Sequence, residues 1–248
     1  MYVGRVTDLL KMAKPLVICI EGGIGVGKST AIARLEKEFE HNPDVAVLPE
    51  PVDEWSRHGF LEAMYEGEVD ACAFQHMVLT SIMTQLENCL LRKERPSVII
   101  MERSPWSNHH VFGKTLSGTA YEMFRYSWEK TVARVEPHVD VRFVYLNAPL
   151  ATLQERVAQR DRTGEAAIPE AYMELIQSNH DAWMETVPHK CVYAGAEAQH
   201  VYENVSRAID EWALSLGYRR TDEDEYCEMA REIDARERAM GREGLVCV

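Results

Sequence analysis

The chain has 248 residues, 46% of them hydrophobic and 27% charged, with a formal net charge of −13. That length and balance suit one globular α/β domain with a sizeable core, and the acid excess argues against a nucleic-acid binder held by many Lys and Arg contacts to phosphates. No run nears the roughly 18 consecutive apolar residues of a membrane span, and the opening stretch lacks the apolar core and cleavage site of a signal peptide. A soluble, intracellular protein is expected, cytoplasmic before mitochondrial or nuclear.

Residues 1–14 place Arg5, Lys11 and Lys14 around Leu9 and Leu10, but Asp8 and the want of an Arg- and Ser-rich stretch count against an organelle-targeting helix. They read as an N-terminal extension. The first strand is the apolar run LVICIEG at 16–22. Directly after it, Gly22-Gly23-Ile24-Gly25-Val26-Gly27-Lys28-Ser29 fits G-x-x-x-x-G-K-[ST] and opens a helix over 28–40, with Thr30 in its first turn. In that context glycines let backbone N–H groups turn inward around phosphate oxygens, and the helix N-terminus adds positive potential. Lys28 reaches the outer phosphates and the Ser29 hydroxyl can ligate Mg2+. The loop alone does not separate a kinase from a GTPase, an ATPase motor or a nucleotide sensor, because all share the cradle.

A second strand at 45–52 carries Glu50-Pro51-Val52-Asp53-Glu54-Trp55 at its end. A carboxylate there can take a proton from an acceptor hydroxyl, with an aromatic close behind; a strand-ending Glu before Pro also fits a solvated turn. Helical spacing follows over 60–93. The third strand, 97–104, ends on Glu102-Arg103-Ser104, which offers a carboxylate for Mg2+ or its waters and a guanidinium for phosphate or acceptor oxygen, or else a structural ion pair. Helix 119–134, strand 141–148 and helix 150–160 come next. The last of these runs through Arg156, Arg160 and Arg162 into a polar turn with Gly164 and Glu165. That composition fits a mobile lid that closes arginines over a transferring phosphoryl group, or a surface ion-pair cluster.

Helix 169–187, strand 190–195 and helix 200–216 complete the alternation, which implies a parallel sheet with helices on both faces. Ligands of such sheets bind beyond the carboxyl ends of the strands, where Gly22, Glu50 and the segment 102–104 fall. One domain is expected over 1–218, followed by a charged extension, 219–248, in which Tyr226, Met229, Ile233 and Met240 make a thin helical stripe. Six cysteines, at 19, 72, 89, 191, 227 and 247, show no CxxC pair or zinc spacing and read as reduced packing residues. His109-His110, His180 and His189 lack partners at ligand spacing, so Mg2+ is the metal inferred.

The loop, EPVDEW, FLEAMY, AFQ, MERS and QRDRTGE stand in an order and spacing that resemble the deoxyribonucleoside kinases, a group including deoxycytidine, deoxyguanosine and mitochondrial-type thymidine kinases, over roughly residues 16–216. The resemblance implies a P-loop NTPase-type three-layer fold with a five-stranded parallel sheet and an Arg-containing lid. It implies ATP with Mg2+ as phosphoryl donor, a deoxyribonucleoside acceptor, and a homodimer formed through helices. It also implies Glu50 as the base for the 5′-hydroxyl, Arg103 steadying that hydroxyl and Glu50, and Tyr65 with Glu165 holding the 3′-hydroxyl. Gln75 would hydrogen-bond the nucleobase, Trp55, Phe74 and Phe112 would enclose it, and Arg160 and Arg162 would work from the lid.

Gly23 stands where members commonly have Asn, and Gly164 where they often have a second acid. Cytosine-preferring members place Arg and Asp at positions matching Ile82 and Asn108, and neither charge is present here. Val78 and Ile82 leave apolar room for a 5-methyl group, and the Gln75 amide can present donor and acceptor to either pyrimidine. Thymidine is therefore the expected substrate, with deoxycytidine, purine or broad activity next, since the Asn108 amide admits purines by hydrogen bonding. A nucleoside-monophosphate kinase would need extra basic residues that FLEAMY and AFQ lack. Intact Lys28, Glu50, Arg103 and Glu165 argue against a non-catalytic assembly subunit.

Overall fold

The apolar run Leu16–Gly22, β1, is buried along its whole length, as a strand flanked on both edges and covered on both faces has to be. The structure, a computed structural model, describes residues 14–160 and 168–218. Its other strands are β2 (Val45–Leu48), β3 (Val98–Glu102), β4 (Asp140–Asn147) and β5 (His189–Tyr193). They form one sheet in the order β2-β3-β1-β4-β5, and every pairing is parallel. Ile20 pairs with Glu102 and Gly22 with Leu146. The register thus brings the start of the glycine loop and the Glu102-Arg103-Ser104 segment together at the carboxyl ends of the strands.

The helices are α1 (Lys28–Glu38), α2 (Val52–Arg57), α3 (Phe60–Tyr65), α4 (Ala71–Leu90), α5 (Pro105–Ser107), α6 (Gly118–Val132), α7 (Leu150–Arg160), α8 (Glu170–Met184) and α9 (Ala198–Ser215). Alternate strand residues point to opposite faces. Val17, Cys19, Ile99, Met101, Phe143 and Tyr145 share one core with Ile82 and Leu86 of α4, Phe124 of α6, and Ile176 and Trp183 of α8. Leu16, Ile18 and Ile20 are fully buried on the other face, against which α1 packs with buried Ile32 and Leu35. Each such side chain contributes about 1.5–3 kcal/mol on burial. This is the three-layer α/β architecture, a parallel sheet with helices on both faces, expected from the alternation.

Two local expectations are corrected. β2 stops at Leu48, because Pro49 and Pro51 have no N–H for a ladder, so Glu50 lies in the connection to α2 rather than within a strand. The stretch 60–93 is two helices: Gly67 takes φ 75, and Asp70 starts α4 by accepting from Cys72 N at 2.9 Å and Ala73 N at 3.1 Å. Arg162, Glu165 and the stripe from Tyr226 to Met240 lie outside the described residues. Packing divides the chain into the compact units Met1–Glu211, which contains the sheet, and Trp212–Val248, of which 212–218 are described. No helix among the described residues is long and apolar enough to cross a membrane.

Candidate active site

The turn from β1 into α1 requires glycine at two positions. Gly22 has φ +145 and a Cβ there would meet Leu146 O at 2.5 Å; Gly25 has φ +81 and its Cβ would meet Leu153 O at 2.7 Å. A side chain at either place would strike backbone while in a conformation that L residues rarely adopt. The turn leaves the first N–H groups of α1 without intrahelical partners, which is the physical basis of an anion cradle.

Lys28 donates from Nζ to Gly22 O at 3.0 Å and Gly23 O at 2.9 Å. Burial, then Arg103, push its pKa down to about 7 against the pull of Glu102, Glu50 and Glu21. An anion in the cradle opposes that loss of charge. The Ser29 hydroxyl donates to Glu102 Oε1 at 2.6 Å, and Glu50 N lies 3.5 Å from Glu102 Oε2. Burial, then the neighbouring Glu50, raise the Glu102 pKa. A hydroxyl beside a carboxylate held in this unfavourable state is a hard-oxygen donor set that fits Mg2+.

Glu50 meets Arg103 edge on: the Nε–H lies 3.0 Å from Oε1 and 3.1 Å from Oε2. Arg103 Nη1 also donates to Gly22 O at 3.2 Å, tying the pair to the glycine loop. Arg103 has φ 61 and is the non-glycine residue with positive φ among the described residues. Such a conformation persists only where neighbours over-determine it. Here Arg103 N donates to Ile20 O at 3.0 Å, and Ser104 caps α5 by accepting from Ser107 N at 3.1 Å. The guanidinium stands 4.6 Å over the Phe112 ring, a cation–π contact.

These groups face a half-open cleft. Trp55 of α2, Tyr65 of α3, and Phe74, Gln75, Val78 and Ile82 of α4 line it, with Asn108 and Phe112 from a π-helical turn, Asn108–Phe112, after α5. Trp55 and Phe74 meet edge to face at 6.2 Å, and Trp55 Nε1–H donates to Ser81 Oγ at 3.1 Å. Asn108 Nδ2 donates to Gln75 Oε1 at 2.7 Å, which leaves Asn108 Oδ1 buried without a hydrogen-bond partner. A ligand N–H would satisfy it.

On the other side of the loop, a second cavity is lined by Gly25, Val26, Gly27, Thr30, Arg156 and Tyr202. Arg156 is fixed there by donating to Val26 O at 3.2 Å. Both cavities include Gly25, Lys28, Ser29 and Arg160, and Ile24 lines the first. Of the described residues singled out from the sequence, Gly22 and Gly23 line neither cavity, and the others line one or both. Sequence reasoning missed Met64, Ser107 and Tyr172 in the first cavity and Gln159 and Val201 in the second. Met64 and Val201 look like ordinary core positions in a helical pattern, so only the tertiary fold reveals them. Tyr172 carries one readable signal, a hydroxyl in an otherwise apolar stripe just after the Arg-rich turn.

The profile of the deoxynucleoside kinase family matches residues 18–214. A thymidine kinase of Ictalurid herpesvirus 1 is 33% identical over 181 residues, covering 69% of this chain and 75% of the relative. Mitochondrial thymidine kinase 2 of Homo sapiens is 32% identical over 210 residues, 80% of this chain and 76% of the relative. Deoxycytidine kinase of Homo sapiens is 28% identical over 241 residues, 80% of this chain and 91% of the relative.

Proposed function

Because the chain belongs to the deoxynucleoside kinase family, we propose that this phosphotransferase moves the γ-phosphate of ATP to the 5′-hydroxyl of thymidine in preference to other deoxyribonucleosides. The observation that carries the reading is the junction of two cavities at Gly25, Lys28, Ser29 and Arg160, with Glu50 and Arg103 on the wall of the first. A donor in one and an acceptor in the other would meet in line at the loop, the geometry that direct phosphoryl transfer needs.

Glu50 accepts the 5′-hydroxyl proton as the oxygen attacks, and Arg103 orients the carboxylate through Nε. Lys28 exchanges its bonds to Gly22 O and Gly23 O for phosphate oxygens, and Arg156, Arg160 and Arg162 neutralise charge around them. Mg2+, held at Ser29 and through water at Glu102, would supply further charge neutralisation on the phosphates. Tyr65 and Glu165 hold the 3′-hydroxyl. No covalent phosphoenzyme is needed.

Thymidine is favoured because Val78 and Ile82 are buried apolar side chains lining the cleft and leave space for a 5-methyl group. The Gln75 amide supplies donor and acceptor to the base edge, while Trp55, Phe74 and Phe112 enclose its faces. The thymidine kinase names of two relatives point the same way. Two copies pair through helices, for which Met123 and Tyr126 on α6, 60% and 61% exposed, offer apolar surface.

The test is ATP-dependent phosphorylation of thymidine, deoxycytidine, deoxyadenosine, deoxyguanosine and thymidine monophosphate in parallel with Mg2+ present. The highest kcat/KM is expected for thymidine. Activity on the monophosphate alone, or on none of the five, overturns the proposal.

A further inference from the structure

Beside Arg103, two buried polar atoms face one another without hydrogen-bond partners. Glu21 ends the apolar run of β1, His180 lies on α8, and both are fully buried. Ser104 Oγ–H donates to Glu21 Oε1 at 2.5 Å. Glu21 Oε2 and His180 Nε2 have no partner and stand 4.0 Å apart. The other imidazole nitrogen is assigned by chemistry: Nδ1 lies 2.9 Å from Ile176 O, and a carbonyl only accepts, so Nδ1 carries the hydrogen and Nε2 of the neutral ring is an acceptor. The gap is about 1 Å longer than an O–H···N hydrogen bond.

We infer that Glu21 is held as the neutral carboxylic acid, donating Oε2–H to His180 Nε2, and that this bond positions the Arg103 turn. The inference rests on the reading of Arg103 as the group that orients Glu50. Charge decides where the proton sits. The alternative, a carboxylate beside an imidazolium, removes two ions from water, and their attraction does not repay that loss without further partners. An imidazolium would also face Arg103 and Lys28, while Arg103 already has Glu50 as counter-ion.

The remaining neighbours do not supply a charge to rescue it. Cys19 on β1 and Ser107 on α5 are neutral neighbours of Glu21. Tyr145 of β4 stacks on His180 at 5.9 Å with its hydroxyl given to Asp181 Oδ1 at 2.7 Å. The ionisation tendencies agree with this assignment: burial pushes Glu21 up to about 7 against Ser104 and Arg103, and burial, then Arg103, push His180 well below the usual imidazole range.

The same bond joins three elements. Through Ser104, Glu21 holds the cap of α5 and with it the positive-φ turn at Arg103. Through His180 it reaches α8, the helix that follows the 161–167 segment in sequence. Phe112 lies between the two, 4.6 Å from the Arg103 guanidinium and edge-on to His180 at 6.3 Å. Glu21 and His180 are therefore positioning residues that act on Glu50 through Arg103.

Glu21→Gln tests this directly, since its amide oxygen accepts from Ser104 and its amide nitrogen donates to His180 Nε2 with no proton to lose. Glu21→Met and His180→Phe remove the bond at similar volume. The measurements are kcat and KM with ATP and the best nucleoside, together with 15N NMR of the His180 ring in the full chain. Glu21→Gln should keep kcat within about threefold of the parent, while Glu21→Met and His180→Phe lower it roughly 10- to 100-fold with smaller changes in KM. The NMR spectrum should show a neutral Nδ1–H ring with a hydrogen-bonded Nε2 at neutral pH.

A loss in Glu21→Gln as deep as in Glu21→Met, failure of Glu21→Gln to fold, parent-like kcat in both disruptive variants, or a cationic ring overturns the inference. If the disruptive variants do not fold, Glu21→Gln and the spectrum decide. An inactive parent enzyme would count against the proposed function, and the spectrum would still decide the pair.

Discussion

Replacing Glu21 by Gln should make the fold less sensitive to a rise in pH from about 5 to neutral. Burial raises this carboxyl from 4.5 to about 7, so between those values the native state keeps a proton that the unfolded chain has released. Stability then falls as pH rises: the contribution is full below about 4.5 and is lost as pH rises through about 7. The difference, roughly 2.5 pH units at 1.36 kcal/mol each, is about 3 kcal/mol. Gln has nothing to ionise. Relative to the parent, the unfolding free energy of Glu21→Gln should therefore gain about 2–3 kcal/mol between about pH 5 and pH 9. Paired urea titrations at several pH values measure this directly, and unchanged m-values would show that the denatured state is not responsible. A difference between variant and parent that stays constant with pH would refute the reasoning.

Gly25→Ala places a Cβ against Leu153 O at φ +81, so it should cost about 2 kcal/mol or more and abolish the thermal shift produced by ATP with Mg2+. Ser29→Ala removes the hydroxyl beside Glu102 and should raise the Mg2+ concentration for half-maximal activity about tenfold or more, as a metal titration of initial rates would show. Asn108→Ala removes the amide bonded to Gln75; kcat/KM for deoxyguanosine should fall about tenfold relative to thymidine, the worth of one hydrogen bond.

Much of this site was readable because its chemistry is local in the chain. The glycine loop follows a strand and opens a helix, so Lys28 and Ser29 are placed by adjacent backbone alone, and α7 (Leu150–Arg160) follows its apolar spacing from end to end. Glu50 was legible as an acid near a strand end, but not its edge-on bond to Arg103, which depends on β2 and β3 being neighbours. The break between α3 and α4 was hidden because apolar spacing continues past Gly67, and a single positive-φ turn is enough to redirect the chain. Glu21 and His180 are 159 positions apart in sequence (180 − 21), so their meeting is a tertiary fact. The one signal available was an acid closing an otherwise apolar buried strand, an arrangement that needs a partner.

The claim that Glu50 takes the proton of the acceptor 5′-hydroxyl is tested by measuring kcat and the thymidine Kd of Glu50→Gln beside the parent enzyme. Gln keeps the shape and an oxygen for Arg103 Nε but cannot hold the proton, so kcat should fall about 10²- to 10⁴-fold while Kd changes by less than about fivefold. A Glu50→Gln enzyme that turns over thymidine at the parent rate would contradict the account.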